Sequence, residues 1–157
     1  MASVNFEDFA FKVKDTMNEL LGNALEEVGV EIESQAARNT RVASGNTKRK
    51  WGHIVEQNES EAKVTIGNPL ENAIWEEFGT GEYALNGNGR RGGWYILADD
   101  APELAKYNMK KVYGKDGKVF YFTKGKEPSR ALYKAWEQNK SRVQDRIGDV
   151  LRELNEE

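Results

Sequence analysis

Residues 78–95 read FGTGEYALNGNGRRGGWY, and the fold class turns on what this segment connects. Within it GNGRRG, Gly87 to Gly92, matches the letters of the GxGxxG dinucleotide fingerprint. In a doubly wound α/β fold those glycines follow a strand and open a helix whose N-terminus receives the pyrophosphate. Here a polar loop precedes them and the β-prone GGWYIL follows. No lysine-serine or lysine-threonine pair follows them either, so the segment is not a P-loop. It reads as a long glycine-rich connection, residues 79–93, leading into a strand.

Toward the N-terminus, LENAIWEEFG carries Leu70, Ile74, Trp75 and Phe78 at helical spacing, predicting a short helix that ends at Gly79. Before it, KWGHIVEQ and AKVTIGN are short and β-prone, with NESE between them as a hairpin connection. Val64 and Ile66 alternate with Lys63 and Thr65, which suits a sheet with one buried face. Asn68-Pro69 ends that strand, because proline cannot donate to a ladder. Further back, Phe6, Phe9, Val13, Met17, Leu20, Ala24, Val28 and Ile32 recur at three- and four-residue steps, one face of a long helix capped by Asn5. Gly22 and Gly29 each weaken its interior by about 1 kcal/mol relative to alanine and mark places for a bend. The polar ARNTRVASGNTKRK closes this part as a linker or exposed loop.

Toward the C-terminus, ADDAPELAKYN predicts a brief helix with Asp100 and Glu103 at capping-box spacing. MKKVYGKDGKVFYFTKG predicts a hairpin turned by Asp116-Gly117. A second long helix follows from Ser129 as N-cap, with Leu132, Trp136, Val143, Ile147, Val150 and Leu154 on one stripe. The order helix, strands, loop, strands, helix predicts an α+β fold: long N-terminal and C-terminal helices packed on a mostly antiparallel sheet. At 157 residues, 1–157 is expected to form a single domain.

Composition narrows the function classes. The net charge of −3 argues against a domain-wide basic surface for nucleic acid, leaving only local patches. No cysteine is present, which excludes disulfides, thiolate nucleophiles and cysteine zinc sites. MASVNFEDFAFK lacks the basic and apolar regions of a signal peptide, and no apolar run is long enough to span a membrane. A soluble protein made in the cytoplasm is expected, with no membrane partner. The lone His53 sits inside a predicted strand and reads as a partly exposed strand histidine; one histidine cannot build a zinc site. Glu76, Glu77, Glu82, Asp99 and Asp100 show no EF-hand spacing and read as solvated faces. Ser44 lacks a GxSxG elbow and nothing marks Thr80 as an activated nucleophile. The expectation is no enzyme: no catalytic residue, no cofactor and no metal.

The run VTIGNPLENAIWEEFGTGEYALNGNGRRGGWYI resembles the central block of the small neck proteins of long-tailed, non-contractile bacteriophages, the tail-completion or head–tail joining family. The elements that carry the resemblance are Ile66-Gly67, Ala73-Ile74, Glu77 to Gly81, Gly87 to Arg91, and Gly92 to Trp94. FTKGKEPSRALYKA is similar to the family's signature before its last helix, through Thr123, Lys124, Gly125, Pro128, Leu132 and Ala135. Thr47 stands where the family has leucine, Ala131 where an aromatic is common, and 96–111 looks like an insertion.

The resemblance implies a virion protein without catalysis, made in the host cytoplasm and placed in the neck. Its partners would be itself, as a ring, and the head connector and tail proteins, with DNA contact only in the assembled ring. The interface residues it implies are Glu77, Phe78, Thr80, Arg90, Arg91, Trp94 and Tyr95; the glycines make the loop cheap to leave mobile and able to order on a partner, so it is expected to be an arm for assembly. Lys48, Arg49 and Lys50 would form a secondary basic contact. The competing expectation is a nucleic-acid-binding module using the basic clusters at Lys48–Lys50, Arg90-Arg91 and Lys124–Lys126.

Overall fold

The structure is a computed structural model that describes residues 6–41, 45–58 and 61–156, with side chains from 15 to 153 among them. The chain is α+β, with two long helices and two small antiparallel sheets in place of one. It divides into two compact units, one made of residues 1–70 and 131–157, the other of residues 71–130.

The first unit holds α1 (Phe6–Asn39), α2 (Asn46–Arg49), β1 (Gly52–Gln57), β2 (Ala62–Gly67) and α4 (Ala131–Glu156). Ala24, Val28, Ile32 and Ala36 of α1 are buried at four-residue steps. They meet Ala135 on α4, with Leu132, Val143, Trp51, Val64 and Ile66 packed around them. The alanines let the helices approach closely, while the branched side chains fill the seam. Met17 and Trp136, both expected on the packed stripes, are largely exposed. On α4 the seam runs instead through Ala135 and Asn139, whose amide donates 2.8 Å back to Ala135 O. The N-terminal part of the expected stripe (Phe6, Phe9, Val13), the Asn5 cap and Leu154 lie outside the described side chains.

The hairpin of β1 and β2 pairs Val55 with Val64 and His53 with Ile66. Asn58 and Glu61 close its turn, each donating a backbone N–H to the other at 2.9 Å, to Glu61 O and Asn58 Oδ1. This sheet lies on α1, and the two helix glycines show why they are there. A Cβ at Gly29 would lie 2.3 Å from the His53 ring, and one at Gly22 would lie 2.7 Å from Gln57 Oε1. The helix runs on without a break. Its glycines are the places where β1 side chains press against the backbone.

Gly29→Ala therefore has two opposed effects. Helix propensity gains about 1 kcal/mol; forcing the His53 ring aside costs about 1–3 kcal/mol. A net loss of stability in denaturant unfolding is expected, removed when His53→Ala is added. A stabilised single variant would show that the ring moves freely.

His53 is held from both sides by α1. Its Nδ1 lies 2.6 Å from Glu33 and its Nε2 lies 3.0 Å from Glu26, with only 12% of the side chain exposed. Hydrogen bonding to Glu33 is the main cause that raises its pKa above 6.5, and burial opposes the rise. Raised in the folded state, this group stabilises fully below pH 6.5 and loses its contribution as pH climbs through the folded value. The melting midpoint is expected to fall across that window, and to be flatter in His53→Gln.

The second unit holds α3 (Glu71–Phe78), β3 (Trp94–Leu97), β4 (Lys110–Tyr113) and β5 (Val119–Thr123), with 3-10 turns at Gly81–Tyr83, Ala98–Asp100 and Pro102–Lys106. The sheet order is β3-β5-β4, antiparallel throughout, with Tyr121 of the central strand buried. Gly117 takes φ 79° in the hairpin turn between β4 and β5, as Asp-Gly requires.

Two expected caps are not formed. Ala101, not Asp100, precedes the turn that Pro102 opens, and no side chain caps it. Arg130 takes φ 55° just before α4, turning Ser129 away from the helix; its Oγ has no hydrogen-bond partner. The segment 96–111 holds the end of β3, two of the 3-10 turns and the start of β4.

Candidate interface of the second unit

Gly79 ends α3 by taking φ 74°, and its N–H donates 2.9 Å to Trp75 O. From there the loop is anchored by backbone bonds to the segment after β5. Thr80 N donates to Lys126 O at 2.9 Å, Glu82 N to Lys124 O at 2.8 Å, and Lys126 N to the Thr80 hydroxyl at 3.0 Å. Leu85 N returns to Phe78 O at 2.9 Å, and Gly92 N donates 3.1 Å to the Glu82 carboxylate. Lys124 pairs with Glu82 at 3.4 Å, and Lys126 pairs with Glu76. The expected mobile arm is a braced loop.

Close approach explains Gly79, Gly81, Gly89 and Gly93, whereas Gly87 and Gly92 have open space and take positive φ. A Cβ at Gly125 would lie 2.1 Å from Thr80 O, and one at Gly89 only 1.9 Å from Gly81 O. These contacts bring the loop backbone against itself with no room for a side chain.

The residues implied by the resemblance fall into three groups. Phe78, Arg90, Arg91 and Tyr95 are exposed. The Arg90 guanidinium lies over the Trp94 ring at 5.6 Å, and Arg91 lines a small cavity with Gly81, Glu82 and Gly89. Thr80 and Trp94 are half-buried and brace the loop, Thr80 through its hydroxyl and Trp94 against Gly81. Glu77 is half-buried on the last turn of α3. Lys48, Arg49 and Lys50 are exposed around α2 in the first unit, whereas the other two basic clusters belong to the second.

What sequence spacing did not reveal is the side of α3 left bare. Ile74, Trp75 and Phe78 are 59%, 54% and 48% exposed, and the residue that α3 buries is Ala73. Tyr83 and Leu85 of the following loop are exposed as well. Trp75 and Tyr83 continue into a groove of about 1020 Å3 with Trp94, Tyr107, Phe122 and Lys110. These side chains form a largely apolar surface on an eight-residue helix and its loop. Helical periodicity showed the apolar face correctly; nothing local to it told whether the chain itself would cover it.

Among the described residues, no group of three His, Asp or Glu side chains is placed to hold a metal ion, and no helix is long and apolar enough to cross a membrane. The chain matches no protein family, no curated protein and no solved structure.

Proposed function

We propose that this chain is a structural subunit of the neck of a long-tailed, non-contractile bacteriophage, assembling as a ring that joins the DNA-filled head to the tail. The observation that carries the reading is the bare apolar face of α3, Ile74, Trp75 and Phe78, running into Glu77 to Gly81. That pentapeptide opens the most specific block of the family resemblance, which runs on to Gly92, Gly93 and Trp94. Aromatic side chains held at a surface by a braced loop are the anchors of a protein interface. Exposed Arg90 and Arg91 beside them suit carboxylates on a neighbour. A ring needs a heterologous contact between two different faces of the subunit, and the α3 face supplies one of them. In this reading the partners are other copies, the connector and the tail proteins. DNA is met only inside the assembled ring.

Deleting the gene from the phage or prophage that encodes it should leave DNA-filled heads beside separate, complete tails in negative-stain micrographs. Complementation with the native sequence restores joined particles. A Trp75→Ser, Phe78→Ser copy is expected to stay folded, since the two side chains are 54% and 48% exposed. Loss of two anchors of about 2 kcal/mol each weakens the contact by roughly a thousandfold. Joined particles from the deletion strain would overturn the reading.

A further inference from the structure

The second unit leaves two sheet edges open, and they are unlike. β4 presents Lys110 and Lys111, charges that discourage another strand from adding. β3 presents Trp94, Tyr95, Ile96 and Leu97, with no charge, no proline and no bulge. Among the described residues β5 is its only strand partner. An edge of this kind is a site for strand addition.

The residues flanking β3 say which strand fits. Arg90 and Arg91 lie just before it and Asp99 and Asp100 just after it, and all four are exposed. Among the described residues none of the four has an ion-pair partner. The Arg90 guanidinium carbon lies 5.6 Å from the centre of the Trp94 ring, and an arginine stacked on an aromatic ring can still bind a carboxylate through its N–H groups. The segment RRGGWYILADD is thus cationic at one end and anionic at the other. Laid antiparallel against β3 of a second copy and centred on Tyr95, it brings the bend that carries Arg90 and Arg91 alongside the 3-10 turn that carries Asp99 and Asp100 of the other copy. Trp94 then faces Ile96, and the two Tyr95 rings meet on the twofold axis. Tyr95 is 61% exposed in the single chain, with one side of its ring already against Phe122 at 5.1 Å.

We infer that the free protein forms a twofold dimer by antiparallel pairing of β3 with β3 of a second copy, with Arg90 and Arg91 of each copy meeting Asp99 and Asp100 of the other. The inference stands independently of the neck assignment. A twofold contact uses one patch twice and closes at two copies, so it is not a ring contact. It also occupies Arg90 and Arg91. A subunit paired in this way has to separate before those arginines can engage another protein.

Sedimentation velocity of the purified chain over a concentration series tests it. Native protein is expected to pass from monomer to dimer, with added hydrogen-exchange protection confined to residues 94–97. Arg90→Glu with Arg91→Glu places four negative charges on the segment; Asp99→Lys with Asp100→Lys places four positive ones. Each variant alone should dimerise at least 100-fold more weakly, as like charges face each other at both ends of the pairing. Mixed together they should pair as a heterodimer, and the chain carrying all four substitutions should recover its own dimer. These side chains are exposed, and circular dichroism verifies that each variant is folded. A native chain that stays monomeric, or folded variants that dimerise undiminished or fail to rescue one another, would overturn the inference.

Discussion

Gly125→Ala is expected to open the loop of the second unit. Gly125 sits at φ 117°, outside the regions that an L-residue adopts readily, and its missing Cβ would lie 2.1 Å from Thr80 O and 2.6 Å from Thr80 C. Both atoms belong to backbone, so no side-chain rotation relieves the contact. The strained dihedral costs about 1–3 kcal/mol by itself, and overpacking adds a similar amount. The chain escapes by separating the two segments, which breaks the bonds from Thr80 N to Lys126 O and from Glu82 N to Lys124 O. Hydrogen exchange should show residues 79–93 losing protection while the α1 amides keep theirs. Gly117→Ala is the control: it has a positive φ of 79° but nothing within 4 Å of the added Cβ, so it bears the dihedral strain without the collision. Equal effects from the two would mean that the close approach between Gly125 and Thr80 is not what fixes the loop.

Much of this architecture is legible in the sequence because local rules fixed it. Asp116-Gly117 can turn only a tight hairpin, and the alternation in β2 matches its half-buried face. The end of α3 at Gly79 follows from the need for a left-handed residue there. The misses share a different origin. Ser129 has the chemistry of an N-cap, but the left-handed Arg130 that follows it turns it away from α4. Trp136 has the spacing of a core residue, but α4 packs through the smaller Ala135, which lets α1 come closer. The glycines of residues 79–93 read as mobility because glycine permits it; the tight fit at Gly81 depends on Lys124 and Gly125, more than forty residues further along the chain. The candidate interface was half visible for the same reason. Arg90, Arg91 and Tyr95 stood out as residue types. The bare side of α3 depends on what the rest of the chain leaves uncovered, which no local pattern describes.

Ile32→Ala is expected to have the largest effect on the first unit. Ile32 is 1% exposed, one of the two largest side chains buried so completely. Val28 and Ala36 flank it on α1, with Ala135, Trp51, Val64 and Ile66 in the surrounding cluster. Three elements therefore enclose it, and none can shift into the void alone. α1 is held to α4 by pairs such as Arg146–Glu27 at 2.6 Å, and the Trp51 indole is fixed by a 2.7 Å bond to the Thr40 hydroxyl. A site that cannot collapse keeps its cavity, so the loss should fall in the range of about 2–5 kcal/mol, toward the upper end. Surface ion pairs are worth about 0–1 kcal/mol each and cannot compensate. Ile54→Ala provides the comparison, with the same chemistry removed from the opposite face of β1, where the side chain is 66% exposed. It should change urea unfolding by no more than about 0.5 kcal/mol. If the two substitutions gave equal losses, the sheet would lie on α1 by its other face. His53 would then point away from Glu26 and Glu33, and the fall in melting midpoint above pH 6.5 would vanish with it.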